Sequence, residues 1–478
     1  MLSRREFIRT SQLLAAAACI GVPRSVYSKP ESEGRPNVIL FTADDLGTQL
    51  GCYGDRDAVT PNLDKLASEG VRFTTAYVTQ SSCSPSRSSI LTGLYPHQNG
   101  QVGLSHHNYS MNKAYPSIPS ILKNAGYKTA IFGKLHIEPK SAFDFDFSCL
   151  DHKLNITDRD VKELTGIAEG FITDAQDSPF FMMFNAIDPH RPFSDQLSGI
   201  PEKPLTADDV SAMPFLGIDN EALRKDTAAY HNSVTRADYA LGALVAALRK
   251  IGKYENTLII AIGDNGPPFT RGKTTCYEAG LRTPFIAAWG QNLPRGCVRN
   301  ELVSTVDILP TILDAAGVEL PADLPGRSII PLIKDNIPWR QYLCGEYTTH
   351  SRNAYFPRRA VRDKRYKLIR NYRDTGNPLS GVDGCPAYNM VMRSDDVPEH
   401  IKDAYKTYKS PPQYEFYDLD ADPYEFRNLI AVAGYQSHIE RLNNALQQWQ
   451  KDTSDDNPDY EDHLPADENA ELTKETKI

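Results

Sequence analysis

Four short runs of apolar residues are continuous rather than alternating, and each ends abruptly in polar residues. This pattern is typical of strands that are buried on both faces of a parallel sheet. Amphipathic helical patterns lie between these runs, so that strands and helices alternate along the chain. The predicted strands cover 37–42, 128–132, 180–185 and 257–262, and the predicted helices cover 61–70, 117–126 and 235–252.

This alternation predicts an α/β fold in which helices sandwich a large, mostly parallel or mixed sheet. Beyond about residue 340, two segments alternate like half-exposed strands and a helical pattern follows them, which predicts a smaller α+β subdomain with an antiparallel sheet. These three elements cover 365–370, 414–418 and 437–451. The predicted divisions are a signal peptide over 1–28, a main domain over 36–340, a C-terminal subdomain over 341–453 and an acidic tail over 454–478.

The composition is that of a globular protein of two or three domains, with 478 residues, 24% charged and 40% hydrophobic. A formal net charge of -9 argues against a nucleic-acid binder, which would need a basic surface to neutralise phosphates. No segment has the roughly 20 consecutive apolar residues of a membrane span.

The first residues resemble a twin-arginine export signal. Arg4 and Arg5 precede an apolar run over 13–22, and cleavage is expected after about Ser28, which predicts a periplasmic or extracellular protein. The alternative is that this run forms the first helix of the core. Cys19 at its end also allows attachment of a lipid anchor. Export would remove Cys19 and leave seven cysteines. None of these stands in a CxxC spacing, so a disulfide-dependent fold is not expected.

Polar and charged residues follow each of the four predicted strands. They are Asp44-Asp45, Lys134 with His136, His190, and Asp264-Asn265. Because ligands bind at the carboxyl ends of the strands in open α/β sheets, we expect these side chains to line one crevice. Oxygen ligands and adjacent carboxylates suit a hard divalent cation such as Ca²⁺ or Mg²⁺. Each acidic pair alone also fits an ordinary turn, but two pairs at equivalent strand ends favour a metal site.

A cysteine stands directly before a predicted helix start, in the sequence SCSPSR. Ser84 fits an N-cap and Pro85 fits the first helical position. Cys83 and Arg87 would then lie at the positive end of the helix, where anions bind and thiols are activated. These surroundings favour an activated nucleophile and an anionic substrate, although a cysteine before a helix is more often structural.

Cys83 begins a C-x-P-x-R motif, and Leu91-Thr92-Gly93 follows it. Lys134 and His136, then His190, Asp264-Asn265 and Lys273 come next in the chain. This order resembles that of the type I sulfatases of the alkaline-phosphatase superfamily, and the likeness extends over most of the chain. The stretches closest to the heparan N-sulfatase, or sulfamidase, branch are 81–94, 96–100, 188–191 and 355–362, whereas the surroundings of Lys273 are more similar to the general O-sulfatase pattern.

The resemblance implies a bacterial, exported enzyme of polysaccharide or glycosaminoglycan degradation that hydrolyses sulfate esters or N-sulfate. In that family the cysteine is oxidised after translation to formylglycine (3-oxoalanine), and its hydrate attacks sulfur and later expels sulfate. The implied ligands of Ca²⁺, or of Mg²⁺, are Asp44, Asp45, residue 83, Asp264 and Asn265.

The resemblance also implies a role for each remaining motif residue. Arg87 and Lys134 would orient the modified residue, and His136 would assist removal of its second proton. Lys273 would contact the sulfate oxygens, and His190 would protonate the leaving group.

The implied partners are a sulfated mono-, oligo- or polysaccharide and a formylglycine-generating maturation enzyme. Candidate substrate contacts, which also fit an ordinary solvated face, are His106, His107, His350, Tyr355, Arg359 and Arg362. Arginines there would suit an acidic sugar or a second sulfate. The alternatives are a phosphomonoesterase or phosphonate hydrolase of the same superfamily, which the C-x-P-x-R motif disfavours, and a noncatalytic glycan-binding protein, which the intact set of acids and bases disfavours.

Overall fold

A mixed sheet of nine strands forms the centre of the protein, in a computed structural model that describes residues 34–150, 159–175, 178–373, 376 and 385–459. Its strands are β1 (Asn37–Ala43), β2 (Val71–Tyr77), β3 (Lys128–Gly133), β4 (Phe147–Leu150), β5 (Phe180–Ala186), β6 (Thr257–Gly263), β7 (Arg282–Ala288), β8 (Cys297–Arg299) and β9 (Val303–Ser304). Their order is β4-β3-β5-β1-β6-β7-β2-β8, and β9 also pairs with β2. Only β7 runs against the others.

Helices cover both faces of this sheet. The helices of the described residues are α1 (Pro61–Ser68), α2 (Cys83–Thr92), α3 (Pro96–Asn99), α4 (Ile118–Asn124), α5 (Val161–Asp174), α6 (Glu221–Lys250), α7 (Glu278–Leu281), α8 (Ile308–Ala316), α9 (Ile330–Asp335), α10 (Ala387–Arg393), α11 (Glu399–Lys409) and α12 (Gln436–Thr453). Side chains of β1 alternate between the two cores: Ile39 and Phe41 pack with α1, α5 and α6, while Val38 and Leu40 pack with α2, α4 and α8. The predicted α/β sandwich is confirmed.

The four predicted strands are present, and each predicted helix lies within one turn of its expected bounds except the longest. The helix predicted from residue 235 begins at Glu221 instead. The Asn220 side chain caps it by accepting a hydrogen bond from the Leu223 amide at 3.0 Å. Leu223 and Tyr230 then extend its buried face towards the main core.

A second sheet is antiparallel, as predicted, with the order β10-β11-β12-β13. Its strands are β10 (Leu343–Tyr347), β11 (Arg358–Arg362), β12 (Tyr366–Asn371) and β13 (Tyr414–Asp418). One face packs on Tyr77 and Leu281 of the main sheet region, and the other packs on α12. The Glu346 amide of β10 donates to the Thr79 carbonyl at 2.7 Å, which joins the two sheets just before the SCSPSR stretch. The described residues from Pro36 onward form one compact unit.

The chain after α12 differs from the tail expected from residue 454. Asp455 is buried and forms an ion pair with Arg359 at 2.7 Å, and Asp459 accepts a hydrogen bond from Tyr355 at 2.9 Å. Ordered packing therefore continues to at least residue 459. The expected tail beyond that point lies outside the described residues, as do the signal peptide and Cys19.

The seven cysteines in the described part of the chain are all free thiols. Among those same residues, no helix combines the length and the apolar character needed to cross a membrane.

Two glutamates near the join between the sheets, half-buried Glu278 and buried Glu425, differ in ionisation. Glu278 contacts Arg362 at 2.7 Å and Lys367 at 3.2 Å. Burial raises the pKa of Glu278, but these two cations outweigh it and bring the pKa to about 2. Burial, together with the charge of Glu278, raises the pKa of Glu425 to about 7 against the opposing attraction of Lys367. Of these two glutamates, Glu278 is therefore the one that is ionised more readily.

We expect Glu278→Gln to lower the free energy of unfolding by about 3–5 kcal/mol, because buried Arg362 loses its carboxylate partner and Lys367 keeps only Glu425, at 2.9 Å. At pH 5, well below the pKa of about 7, Glu425→Gln replaces a largely protonated acid with an amide of the same shape, so we expect a cost of about 1 kcal/mol or less. Urea unfolding measures the free energy of unfolding of both variants. A larger loss in Glu425→Gln than in Glu278→Gln would contradict the assignment of Glu278 as the ionised residue.

The raised pKa of Glu425 also predicts a pH dependence. A folded-state pKa above the ordinary 4.5 makes the contribution of Glu425 to stability complete below that pH, and the contribution is lost as the pH rises to about 7. Over that interval, wild-type protein should lose stability relative to Glu425→Gln.

Candidate active site

The residues that follow β1, β3 and β6 meet at one edge of the main sheet. These strands lie in the consecutive parallel order β3-β5-β1-β6, so their carboxyl ends are neighbours. The Asp45 amide, just after β1, donates to the Asp264 carboxylate, just after β6, at 2.9 Å. Lys134, after β3, donates to Asp44 at 2.5 Å. The structure thus brings together the strand-end residues that the sequence predicts to share a crevice.

Cys83 is the first residue of α2 and is buried against the two carboxylates that end β1. Its Sγ lies 3.3 Å from Asp44 Oδ1 and 3.9 Å from Asp45 Oδ1. Burial and the charge of Asp44 raise the pKa of the Cys83 thiol well above its ordinary value. Burial and this carboxylate therefore oppose the activation that the helix start was expected to give this thiol.

Arg87 lies one turn further along α2 and is fully buried. Its Nε donates to Asp264 at 2.8 Å, and its Nη1 donates to the Asn185 side chain at 2.9 Å and to the Lys134 carbonyl at 3.0 Å. Sequence reasoning missed Asn185, although an amide in the buried apolar run of β5 was a signal. Arg87 therefore connects three strand ends at a fixed geometry.

Lys273 is buried and lies on the other side of the carboxylates. Its Nζ donates to Asp45, with distances of 2.8 and 2.9 Å to the two oxygens. The amide of the next residue, Thr274, donates to the Ser81 carbonyl at 2.8 Å, which attaches this loop to the SCSPSR stretch. Lys273 therefore lies opposite Lys134 across the acidic pair.

Three acids and three permanent cations share this small volume, which sets the electrostatics of the site. Burial raises the pKa of Asp44, but Lys134, His190 and Arg87 outweigh it and hold the pKa well below its usual range. Burial and the charge of Asp44 raise the pKa of Asp264 to about 7. Formal charges of the carboxylates at 44, 45 and 264 match those of Arg87, Lys134 and Lys273, so a divalent cation would make the site net positive.

The donors present fit a hard divalent cation. Ligand atoms of Asp44, Asp45, Cys83 and His190 all lie within 4.8 Å of one another. Asn265 donates its amide to Asp45 Oδ1 at 2.8 Å, while its own buried Oδ1 has no hydrogen-bond partner in the described part of the chain. A buried amide oxygen beside carboxylates is the donor type that Ca²⁺ and Mg²⁺ prefer.

His190 lies in the loop after β5 and faces the same carboxylates. Its Nδ1 donates to the carbonyl of the next residue at 2.5 Å, and its Nε2 lies 3.8 Å from Asp45 Oδ2. The loop is held by Asp188, which accepts hydrogen bonds from Arg159 at 2.8 Å and from Arg236 at 2.7 Å. Sequence reasoning missed these two arginines. Burial lowers the pKa of His190.

Three of the predicted substrate-contact residues lie close to the motif residues. His106 Nδ1 is 2.7 Å from His136 Nε2, and the His107 ring lies 4.3 Å from the ring of His106. His350 Nδ1 is 2.9 Å from the hydroxyl of Ser82, directly before Cys83. These imidazoles form one side of the candidate site, which we call the histidine wall (His106, His107, His136 and His350).

The other three predicted substrate contacts have structural roles instead. Arg359 is fully buried, 3.4 Å from Glu346 and 2.7 Å from Asp455, and Arg362 is buried against Glu278. Tyr355 is buried and donates to Asp459. The prediction that these side chains contact substrate is therefore wrong, since their polar groups are engaged in the interior.

Residues 36–318 match the family described as Sulfatase, which is more than half of the chain. The chain belongs to the sulfatase family. Residues 271–378 also match the C-terminal domain described as N-sulphoglucosamine sulphohydrolase. The predicted family membership is thus confirmed, and the chain is a sulfuric ester hydrolase.

Known relatives agree with this membership. N-sulphoglucosamine sulphohydrolase of Homo sapiens is 30% identical over 461 residues, covering 88% of this chain and 90% of that protein. An ulvan-active sulfatase of Formosa agariphila is 31% identical over 434 residues, covering 88% of this chain and 81% of that protein. A solved structure in complex with its substrate D-glucosamine-2-N,6-O-disulfate superposes with a TM-score of 0.68 at 23% identity, covering 90% of this sulfatase and all of that chain. The matches favour the sulfatase over the phosphoester hydrolase and noncatalytic alternatives.

Proposed function

We propose that this sulfatase removes sulfate from a sulfated carbohydrate, using formylglycine formed from Cys83 and a divalent cation, with Ca²⁺ ahead of Mg²⁺. The observation that carries the proposal is the burial of Cys83 against Asp44 and Asp45, at 3.3 and 3.9 Å. A thiol with a raised pKa is a poor nucleophile, which supports its role as a precursor of the reactive group. Modification requires the separate maturation enzyme expected from the family.

Asp44, Asp45, Asp264 and Asn265 would hold the cation, with residue 83 beside it. Their oxygens and the unsatisfied Asn265 carbonyl support this assignment. The chemistry that a bound divalent cation supplies is polarisation of the sulfate and a lower pKa for a neighbouring hydroxyl.

The cationic side chains orient residue 83 and neutralise the substrate. Arg87 is fixed by Asp264 and Asn185, and Lys134 by Asp44, so both stay beside residue 83 without further adjustment. Lys273, held 2.9 Å from Asp45 Oδ2, would bind the sulfate oxygens. Preorganised charges of this kind stabilise the transition state because they need no reorganisation during the reaction.

His190 would protonate the leaving group. Because its Nδ1 donates to a backbone carbonyl, Nε2 is the atom available to the substrate. We expect His190→Ala to lower kcat about a hundredfold or more on a sugar sulfate, whose alcohol leaves poorly without a proton. Turnover of 4-nitrophenyl sulfate should change little, because nitrophenolate leaves unprotonated.

His350→Ala is a matched control, since it removes a neighbouring imidazole that contacts Ser82. We expect it to change KM on the sugar sulfate without any dependence on the leaving group. Equal losses for His190→Ala on both substrates would exclude a general-acid role.

The substrate candidates are sulfated sugars with either O- or N-sulfate. The names of the two relatives, N-sulphoglucosamine sulphohydrolase and ulvan-active sulfatase, support a carbohydrate but differ in the sugar. The histidine wall offers imidazole N–H donors in place of the buried arginines at 359 and 362. A panel of sulfated mono- and disaccharides, with N-sulfoglucosamine included, measures the preference directly.

The mass of the peptide that contains residue 83 tests the proposal. We expect the aldehyde in active protein purified from its natural host. Active protein in which residue 83 remains an unmodified cysteine would overturn the formylglycine assignment, and failure to desulfate any sugar on the panel would overturn the substrate class.

We also propose export by the twin-arginine signal, with Cys83 modified first because that route carries folded proteins. Replacing Arg4 and Arg5 with lysine should retain the precursor in the cytoplasm. Unmodified precursor alongside modified exported protein would contradict this order.

A further inference from the structure

His106 and His136 form a hydrogen-bonded pair that connects the active site with solvent. His106 Nδ1 lies 2.7 Å from His136 Nε2, and the two rings stack with centroids 4.9 Å apart at an angle of 13°. His136 is partly buried, whereas His106 is exposed. The pair therefore leads outward from the buried motif residues.

The turn that carries His106 is fastened to the helix that carries residue 83. The Ser105 amide donates to the hydroxyl of Ser84, the second residue of α2, at 3.1 Å. The Leu104 amide donates to the His350 carbonyl at 3.1 Å. These two bonds place His106 relative to both the SCSPSR stretch and the second sheet, so its contact with His136 belongs to a built site.

His136 has an unusual backbone conformation, and one of its ring nitrogens has no hydrogen-bond partner among the described residues. Its φ of 57° lies in the left-handed region, which few residues other than glycine adopt. Its Nδ1 is buried and, among the described residues, has no hydrogen-bond partner. Such strain and unsatisfied polarity are concentrated at functional sites.

The surroundings keep His136 neutral. Burial, Lys134 and His106 lower the pKa of His136 well below its ordinary value, and Asp44 only partly opposes them. A neutral imidazole carries a single N–H, so the partner at Nε2 decides whether Nδ1 holds a proton or accepts one. The charged and titratable groups around the pair are His107, Lys134, Asp44, Arg87 and His350.

We propose that His106 is a positioning residue that fixes His136 as its Nε2–H tautomer and forms the solvent end of a two-imidazole proton relay. This inference rests on the proposed function and on the role that the sulfatase resemblance implies for His136, which is to take a proton from residue 83. That proton binds His136 Nδ1, the Nε2 proton passes to His106 Nδ1, and the Nε2 proton of His106 passes to water. The path runs in reverse when the proton returns.

Kinetics of His106→Ala distinguish this role from substrate contact. On a sulfate ester that the wild-type protein hydrolyses, we expect kcat to fall about tenfold to a hundredfold, as for other groups that orient an imidazole, while KM stays unchanged. Added imidazole should restore part of the lost kcat, and the pH profile should change shape. Asn108→Gly is the control from the same turn, because its φ of 65° suits glycine and the substitution should retain kcat.

Nitrogen-15 spectra of histidine-labelled protein test the pair without any turnover. With Cys83 unmodified, we expect the Nε2–H tautomer at His136 and a mixture of tautomers in His106→Ala. An Nδ1–H tautomer in the wild-type protein would overturn the proposal, as would a rise in KM alone. The expected spectrum, together with no sulfatase activity in protein whose residue 83 carries the aldehyde, would contradict the proposed function but leave the tautomer assignment standing.

Discussion

We expect Cys83→Ala to abolish hydrolysis of sulfate esters while leaving the protein folded. The side chain is buried against Asp44 and Asp45, and no other group of the described site is placed to act as the nucleophile there. Loss of the covalent nucleophile removes the whole reaction path rather than one stabilising interaction along it. We therefore expect kcat to fall by about a millionfold, to the background rate of hydrolysis. Initial rates at high protein concentration measure this.

A second cysteine substitution separates this effect from general damage. Cys297, in β8, is partly buried and remote from the motif residues, so Cys297→Ala should keep its activity and its circular dichroism spectrum. Full activity in Cys83→Ala would eliminate residue 83 as the nucleophile, and equal losses in both variants would indicate damage to the fold.

We expect Asp264→Asn to remove turnover and cation dependence together. The amide preserves the shape of a side chain that accepts hydrogen bonds from Arg87 and from the Asp45 amide, but it removes one of three negative charges. We expect kcat to fall by about a thousandfold, equivalent to about 4 kcal/mol. Chelation of wild-type protein should produce a comparable loss that added Ca²⁺ reverses.

Thermal unfolding supplies a readout that does not depend on catalysis. A ligand that binds the folded state raises Tm by mass action, so Ca²⁺ should stabilise the wild-type protein and not Asp264→Asn. Asp238→Asn is the matched control, because Asp238 is also buried but caps α1, where it accepts from the Leu63 amide at 2.7 Å. If Ca²⁺ raises the Tm of Asp264→Asn as much as that of wild type, Asp264 is not a ligand.

The strand-end chemistry was predictable because it is local in sequence. A buried strand is a continuous apolar run, and the residues that follow it, such as Asp44 and Asp264, must lie at the carboxyl edge of the sheet. The partners that hold the site are different. Asp188 is fixed by Arg159 and Arg236, which lie 29 and 48 residues away, and no spacing rule connects them.

Arg359 and Arg362 of β11 illustrate the same limit. Arg359 and Arg362 are cationic residues in a polar-looking stretch, so sequence alone favours an exposed role. Their carboxylate partners lie 96 and 84 residues away, and both pairs are buried. Whether an arginine binds substrate or a distant acid depends on tertiary packing.

The hydrogen bond between Glu346 and Thr79 joins two sheets that supply different side chains to the candidate site. The acids and cations that we propose to act on sulfate lie at the edge of the nine-stranded sheet, whereas His350 reaches Ser82 from the segment after β10. We therefore expect sequence change beside the four-stranded sheet to alter which sugar is accepted while the proposed hydrolytic groups stay intact.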